Sequence, residues 1–89
     1  MMESERVETE QSIIYQVVGK PGCWHRKDGP AYEHKRNGYK EWWFNNQRHR
    51  IDGPAQEDKE NPSLNKWWFY NIRYSEKEYW QRVKLLAFI

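Results

Sequence analysis

Eighty-nine residues and 11.1 kDa set the chain at one domain, long enough to bury a modest core without a mandatory disulfide or metal. Charged residues make up 31% and the hydrophobic set only 37%, but six Trp, six Tyr and three Phe supply 17% aromatics, each able to bury a large area, so general disorder is excluded. No apolar run of about 18 residues is present to span a bilayer, the acidic start MMESERVETEQ does not read as a secretory leader, and the lone Cys23 offers no internal disulfide and fits a reducing cytoplasm.

Residues 1–11 are expected to form a disordered acidic tail. Glu3, Glu5, Glu8 and Glu10 against Arg6 leave that segment at −3; the remaining 14 cations and 9 anions put +5 on residues 12–89, for a net +2. Ser12 to Val18 is apolar and β-branched enough for a first strand, ended by Gly19-Lys20-Pro21-Gly22. The chain then repeats itself. His25-Arg26-Lys27-Asp28-Gly29-Pro30-Ala31 returns 24 residues later as His49-Arg50-Ile51-Asp52-Gly53-Pro54-Ala55, and Trp42-Trp43-Phe44 returns after 25 as Trp67-Trp68-Phe69. The extra residue falls in the loop Glu60-Asn61-Pro62-Ser63, where insertion costs little.

Each unit reads as a β-hairpin. In the first, Ala31 to Arg36 and Tyr39 to Phe44 are the arms, and Asn37-Gly38 between them is the strongest short hairpin signal. That turn predicts Arg36 opposite Tyr39, His34 opposite Glu41 and Tyr32 opposite Trp43. Alternation then puts Tyr32, His34, Tyr39, Glu41 and Trp43 on one face, and Glu33, Lys40, Trp42 and Phe44 on the other. In the second unit, Gln56 to Lys59 and Lys66 to Tyr70 are the arms around a longer loop. The Asp-Gly-Pro-Ala corner is read as a turn: Asp closes it, Gly takes a backbone angle others cannot, and Pro fixes the exit. Arg26 with Asp28, and Arg50 with Asp52, are spaced to pair. At the C-terminal end, Ser75-Glu76-Lys77-Glu78 is a capping box. It predicts a helix over about 75–86, with Tyr79, Val83 and Leu86 in one stripe flanked by Trp80 and Leu85. The helix is expected to lie across the sheet, with Ala87-Phe88-Ile89 docking in the domain or marking a self-association surface. The fold class is therefore mainly β (α+β): repeated antiparallel hairpins in one twisted sheet over residues 12–89, closed by a C-terminal amphipathic helix.

The HRxDGPA unit, the Asn-Gly hairpin, the Trp-rich strand and the closing helix after Tyr74-Ser75-Glu76 resemble the short MORN-like β-repeats in proteins of tailed phages and large DNA viruses. The resemblance covers about residues 13–85. The sequence departs from the pattern where Asn45-Asn46 and Asn71-Ile72 replace the Asn-Gly of the connecting turn, and where the second hairpin lacks Asn-Gly. The resemblance implies an intracellular interaction module with no catalytic residues to carry over.

The chemistry-bearing residues agree with a binding role. His25 and His49 belong to the repeat, so they serve its packing. One Cys and three separated His do not make a zinc pattern. Cys23 beside Trp24 has neither an oxyanion-hole signature nor an orienting group. Asp28 and Asp52 are corner residues before they are an acid–base pair. No catalytic residue, metal or cofactor is expected. The Trp doublets are different: neighbours in a strand face opposite ways, so one Trp of each pair is expected to be buried and the other to reach the surface. The expected partner-binding set is Trp43, Trp68, Tyr32 and Tyr39, rimmed by Arg26, Arg36 and Arg50, the make-up of a protein contact centre. The expected function is non-enzymatic binding in the host cytoplasm by a small viral protein that inhibits or redirects a host protein, such as a defence factor. The alternative is binding of nucleic acid or a nucleotide on a basic, Trp-rich face. The partner is expected to be a host or viral protein, and the chain is expected to act as a monomer or homodimer, away from membranes.

Overall fold

A computed structural model describes residues 3–86. The elements run β1 (Ser4–Glu8), β2 (Ser12–Val17), β3 (Tyr32–His34), β4 (Lys40–Glu41), β5 (Trp43–Phe44), β6 (Gln47–Arg48), β7 (Gln56–Glu57), a 3-10 turn (Pro62–Leu64), β8 (Trp67–Phe69), β9 (Ile72–Tyr74) and α1 (Glu76–Leu86). The fold is mainly β, as the repeat predicts. Five strands make an antiparallel sheet in the order β1-β2-β3-β4-β7, while β5–β6 and β8–β9 are separate two-stranded hairpins. The result is a slab measuring 37 × 34 × 17 Å.

The repeat is visible in the backbone hydrogen bonds. Tyr15 and Trp42 occupy equivalent places: their N–H groups donate to Ala31 and Ala55 C=O, and their C=O groups accept from His25 and His49 N–H. Trp67 is the third member of that series by sequence. Ala31 and Ala55 are fully buried. Each unit then closes with a two-residue hairpin turn, Asn45-Asn46 (φ 47° and 62°) and Tyr70-Asn71 (φ 46° and 66°). Two consecutive positive φ angles are what a tight hairpin with right-handed strand twist requires. The second turn is therefore Tyr70-Asn71, one residue earlier than the expected Asn71-Ile72.

Four expectations are corrected by the structure. The disordered acidic tail is an ordered strand over most of its length: β1 pairs with β2 from Ser4↔Val17 to Glu8↔Ile13. Its charges have partners, Glu5 taking Gln16 Nε2 at 3.0 Å and Glu8 pairing with Arg6 at 2.7 Å and with Lys35. The bonds from Lys35 and Arg6 hold the Glu8 carboxyl below its ordinary pKa. Second, Asn37-Gly38 is not a two-residue turn. His34 N–H donates to Tyr39 C=O, so four residues form the loop, and Lys35 N–H is drawn to Gln11 C=O. Tyr32 therefore faces Glu41. The slip is two residues, which leaves every side chain on its expected face. Third, Gly29 and Gly53 do not have positive φ; an added Cβ would instead meet the guanidinium carbon of Arg26 at 2.9 Å and of Arg50 at 2.7 Å. The corner needs glycine because an arginine lies against it. Fourth, α1 packs on the last hairpin rather than across the sheet.

That helix starts as the capping box predicts, with Ser75 Oγ accepting Glu78 N–H at 3.2 Å and Glu78 Oε1 accepting Ser75 N–H at 3.4 Å. Tyr79 is fully buried. Its ring meets Trp67 at 5.1 Å, and its hydroxyl donates to Arg50 C=O and accepts from Gly53 N–H. Arg26 lies over Tyr15 at 4.0 Å and Arg50 over Trp42 at 3.6 Å; Tyr79 covers Trp67 in the same way and so caps the stack, the usual need at the end of a repeat array. The expected docking of Ala87-Phe88-Ile89 lies outside the described residues. No helix among the described residues is long and apolar enough to cross a membrane.

Candidate functional site

The two faces of the slab differ. On the back, the side of Tyr15 and Trp42, the corner arginines are tied down. Arg50 Nε donates to Asp52 at 2.8 Å, and Nη1 donates to Pro54 C=O at 3.0 Å and Glu57 at 3.1 Å. Arg26 Nη1 donates to Pro30 C=O at 3.3 Å. A cleft of ≈ 500 Å³ opens there between the two corners, with Arg26, Asp28, Trp42, His49, Arg50 and Tyr70 in its lining.

The front carries Tyr32, Tyr39 and Trp43, with Trp68 of the next unit beside them. Tyr39, Trp43 and Trp68 are joined by one polar network. Glu41 accepts from Tyr39 Oη at 2.6 Å and from Trp43 Nε1 at 2.8 Å. Gln56 donates to Tyr39 Oη at 3.1 Å and accepts Trp68 Nε1 at 2.7 Å. Burial and the bond to Glu41 push the Tyr39 phenol up to about 12, so it stays a donor at any working pH. The rings also stack: Trp24 lies parallel to Tyr32 at 5.4 Å and edge-on to Trp43 at 5.3 Å. Arg48 sits between two indoles, 4.6 Å from Trp43 and 5.0 Å from Trp68. A surface fixed in this way loses little side-chain entropy on binding.

The sequence-predicted set is thus split. Tyr32, Tyr39, Trp43 and Trp68 come together, but Arg26 and Arg50 lie on the back, and Arg36 is exposed in the hairpin loop. The rim of those three arginines does not form, because the corner arginines fold back over Tyr15 and Trp42. The division of each Trp doublet into buried and exposed members fails as well. Trp42, Trp43, Trp67 and Trp68 are all half-buried, since a slab this thin has a layer of side chains on both sides rather than one core. The residues missed from sequence are Trp24, Glu41, Arg48 and Gln56. Trp24 and Arg48 are equivalent by the 24-residue offset, a signal the repeat contained.

The two repeat histidines, His25 and His49, are structural locks. His25 Nδ1 accepts Asn45 N–H at 2.8 Å and His49 Nδ1 accepts Tyr70 N–H at 3.0 Å, each at the first residue of the following turn. Both imidazoles must be neutral to do so, and burial lowers the pKa of each from its ordinary 6.5. The unfolded chain therefore takes up protons first on acidification. The stability these two histidines contribute is expected to be fully present above their ordinary 6.5 and to be lost as the pH falls below it. Urea midpoints measured from pH 7 to pH 5 are expected to decrease. The double variant His25→Asn/His49→Asn keeps an acceptor but cannot titrate, and is expected to flatten the slope; an unchanged slope would refute the lock.

Cys23 Sγ lies 3.9 Å from Asn45 Oδ1, with the His25 lone pair already engaged. No group of three His, Cys, Asp or Glu side chains among the described residues is placed to hold a metal ion. No family model, curated protein or solved structure matches the chain.

Proposed function

We propose that this chain is a non-enzymatic binding module whose front face docks another protein, and, following the resemblance to viral MORN-like repeats, that the partner is a host protein it inhibits or redirects. The observation that carries this reading is the half-exposed cluster of Tyr32, Tyr39, Trp43 and Trp68, the last three held in place through Glu41 and Gln56 and Tyr32 stacked on Trp24. Trp, Tyr and Arg are the residues that dominate protein contact energies. Base stacking fits less well, because it needs free ring faces, and those of Trp24 and Trp43 already meet Tyr32 and Arg48.

The test is capture from host lysate, with nuclease present, using the wild type, Trp43→Ala and Trp42→Ala at a temperature where all three are folded. Trp43→Ala is expected to weaken capture about 30-fold, the equivalent of 2 kcal/mol. Trp42→Ala, on the back under Arg50, is expected to retain it. Equal loss in both variants, or capture abolished by nuclease and falling steeply with salt, would overturn the reading.

A further inference from the structure

We infer that the partner segment received by the front face is acidic, presenting carboxylates to Arg48, Lys66 and Arg73 beside apolar side chains that lie on the indoles. This rests on the reading that the front face binds protein, and it comes from how charge is distributed between the two faces.

Every ion pair among the described residues lies on the back or at the β3–β4 loop: Arg6–Glu8, Lys35–Glu8, Lys40–Glu33, Arg50–Asp52 and Arg50–Glu57. The front cations have none. Arg48 is paired in register with Trp43, and Arg73 occupies the same place opposite Trp68 one repeat later. Lys66 reaches the front through its bridge to Gln56. Three cations therefore share the surface around Trp68. The nearby carboxylate, Glu41, is already engaged by Tyr39, Trp43 and Gln56. Glu5, farther off on the β1 edge, accepts from Gln16.

Arg48 is the sharpest sign. Its guanidinium is clamped between two rings, and its Nε is shut from solvent without a hydrogen-bond partner. A carboxylate cannot reach that buried Nε, so the edge left to a partner is the Nη1/Nη2 pair, which has no bond within the chain among the described residues. A planar fork fixed against aromatic faces is well formed for bidentate capture of a carboxylate. Cation–π contact orients it without neutralising it.

Selection of a random peptide display library on the immobilised protein tests this directly. Peptides enriched in Asp and Glu next to aromatic or aliphatic residues are expected. Their binding is expected to weaken at least tenfold in Arg73→Gln, an exposed site whose change should leave the melt intact, and similarly in Arg48→Gln. Arg48→Lys keeps the charge without the fork and should recover part of the loss. Peptides without acidic enrichment that still depend on Trp43 would overturn the acidic partner and leave the front face standing. Peptides indifferent to Trp43→Ala would count against both. Displacement of the selected peptides by a single-stranded oligonucleotide at low micromolar concentration would replace the acidic peptide with nucleic acid.

Discussion

Replacing Gly53 by alanine is expected to lower stability by at least about 2 kcal/mol, a drop of roughly 8–16 °C in melting temperature for a domain of this size. The backbone angle is not the cause, because Gly53 does not have positive φ. The new methyl would fall 2.7 Å from Arg50 Cζ and 3.0 Å from both Nε and Nη1. A free arginine would swing away at little cost. Arg50 is not free: moving it breaks bonds to Asp52, Pro54 C=O and Glu57 and lifts it from Trp42. Gly29→Ala is expected to cost less, since Arg26 has one such bond, to Pro30 C=O, and lies over Tyr15 at 4.0 Å. The mechanism can be isolated with a double-mutant cycle. In an Arg50→Ala background the cost of Gly53→Ala should largely disappear. An equal cost in both backgrounds, read from urea melts, would show that the close approach of arginine is not what the corner requires.

Tyr79→Ala is expected to cost about 3–5 kcal/mol, the range for removing a large buried aromatic. Tyr79 is fully buried, covers Trp67, and its hydroxyl joins α1 to the second corner at Arg50 C=O and Gly53 N–H. Tyr79→Phe separates packing from bonding. It keeps the ring, leaves those two backbone groups unpaired, and is expected to cost about 1–3 kcal/mol. By contrast, Leu85→Ala on the same helix should change little, because Leu85 is 62% exposed. If urea unfolding gives Tyr79→Ala and Leu85→Ala similar losses, α1 is not a cap for the repeat.

Much of this architecture was legible because it repeats. The duplicated HRxDGPA and Trp-Trp-Phe motifs give the hairpin arms, the capping box gives the helix start, and strand alternation puts Tyr32, Tyr39 and Trp43 on one face. What was not legible depends on contacts distant in sequence. The acidic segment becomes β1 only because Gln16, Lys35 and the open edge of β2 receive it. The Asn37-Gly38 register slips because Lys35 answers to Gln11 and Glu8 instead of its own hairpin. The corner arginines look like surface cations by spacing, yet Arg50 has only 16% of its side chain exposed. Arg48 carries no local signal of its sandwich, since its second indole, Trp68, belongs to the next unit.

The most direct test of the account is a two-dimensional ¹⁵N–¹H spectrum of the labelled protein with and without the captured partner, read at the indole N–H signals. The Trp43 and Trp68 indoles donate on the front to Glu41 and Gln56, whereas Trp42 lies on the back under Arg50 and Trp67 packs against α1. If the front face is the docking surface, the Trp43 and Trp68 signals shift or broaden on addition of partner, and those of Trp42 and Trp67 stay in place. Shifts at Trp42 with Trp43 and Trp68 unmoved would place binding on the corner cleft and contradict the account.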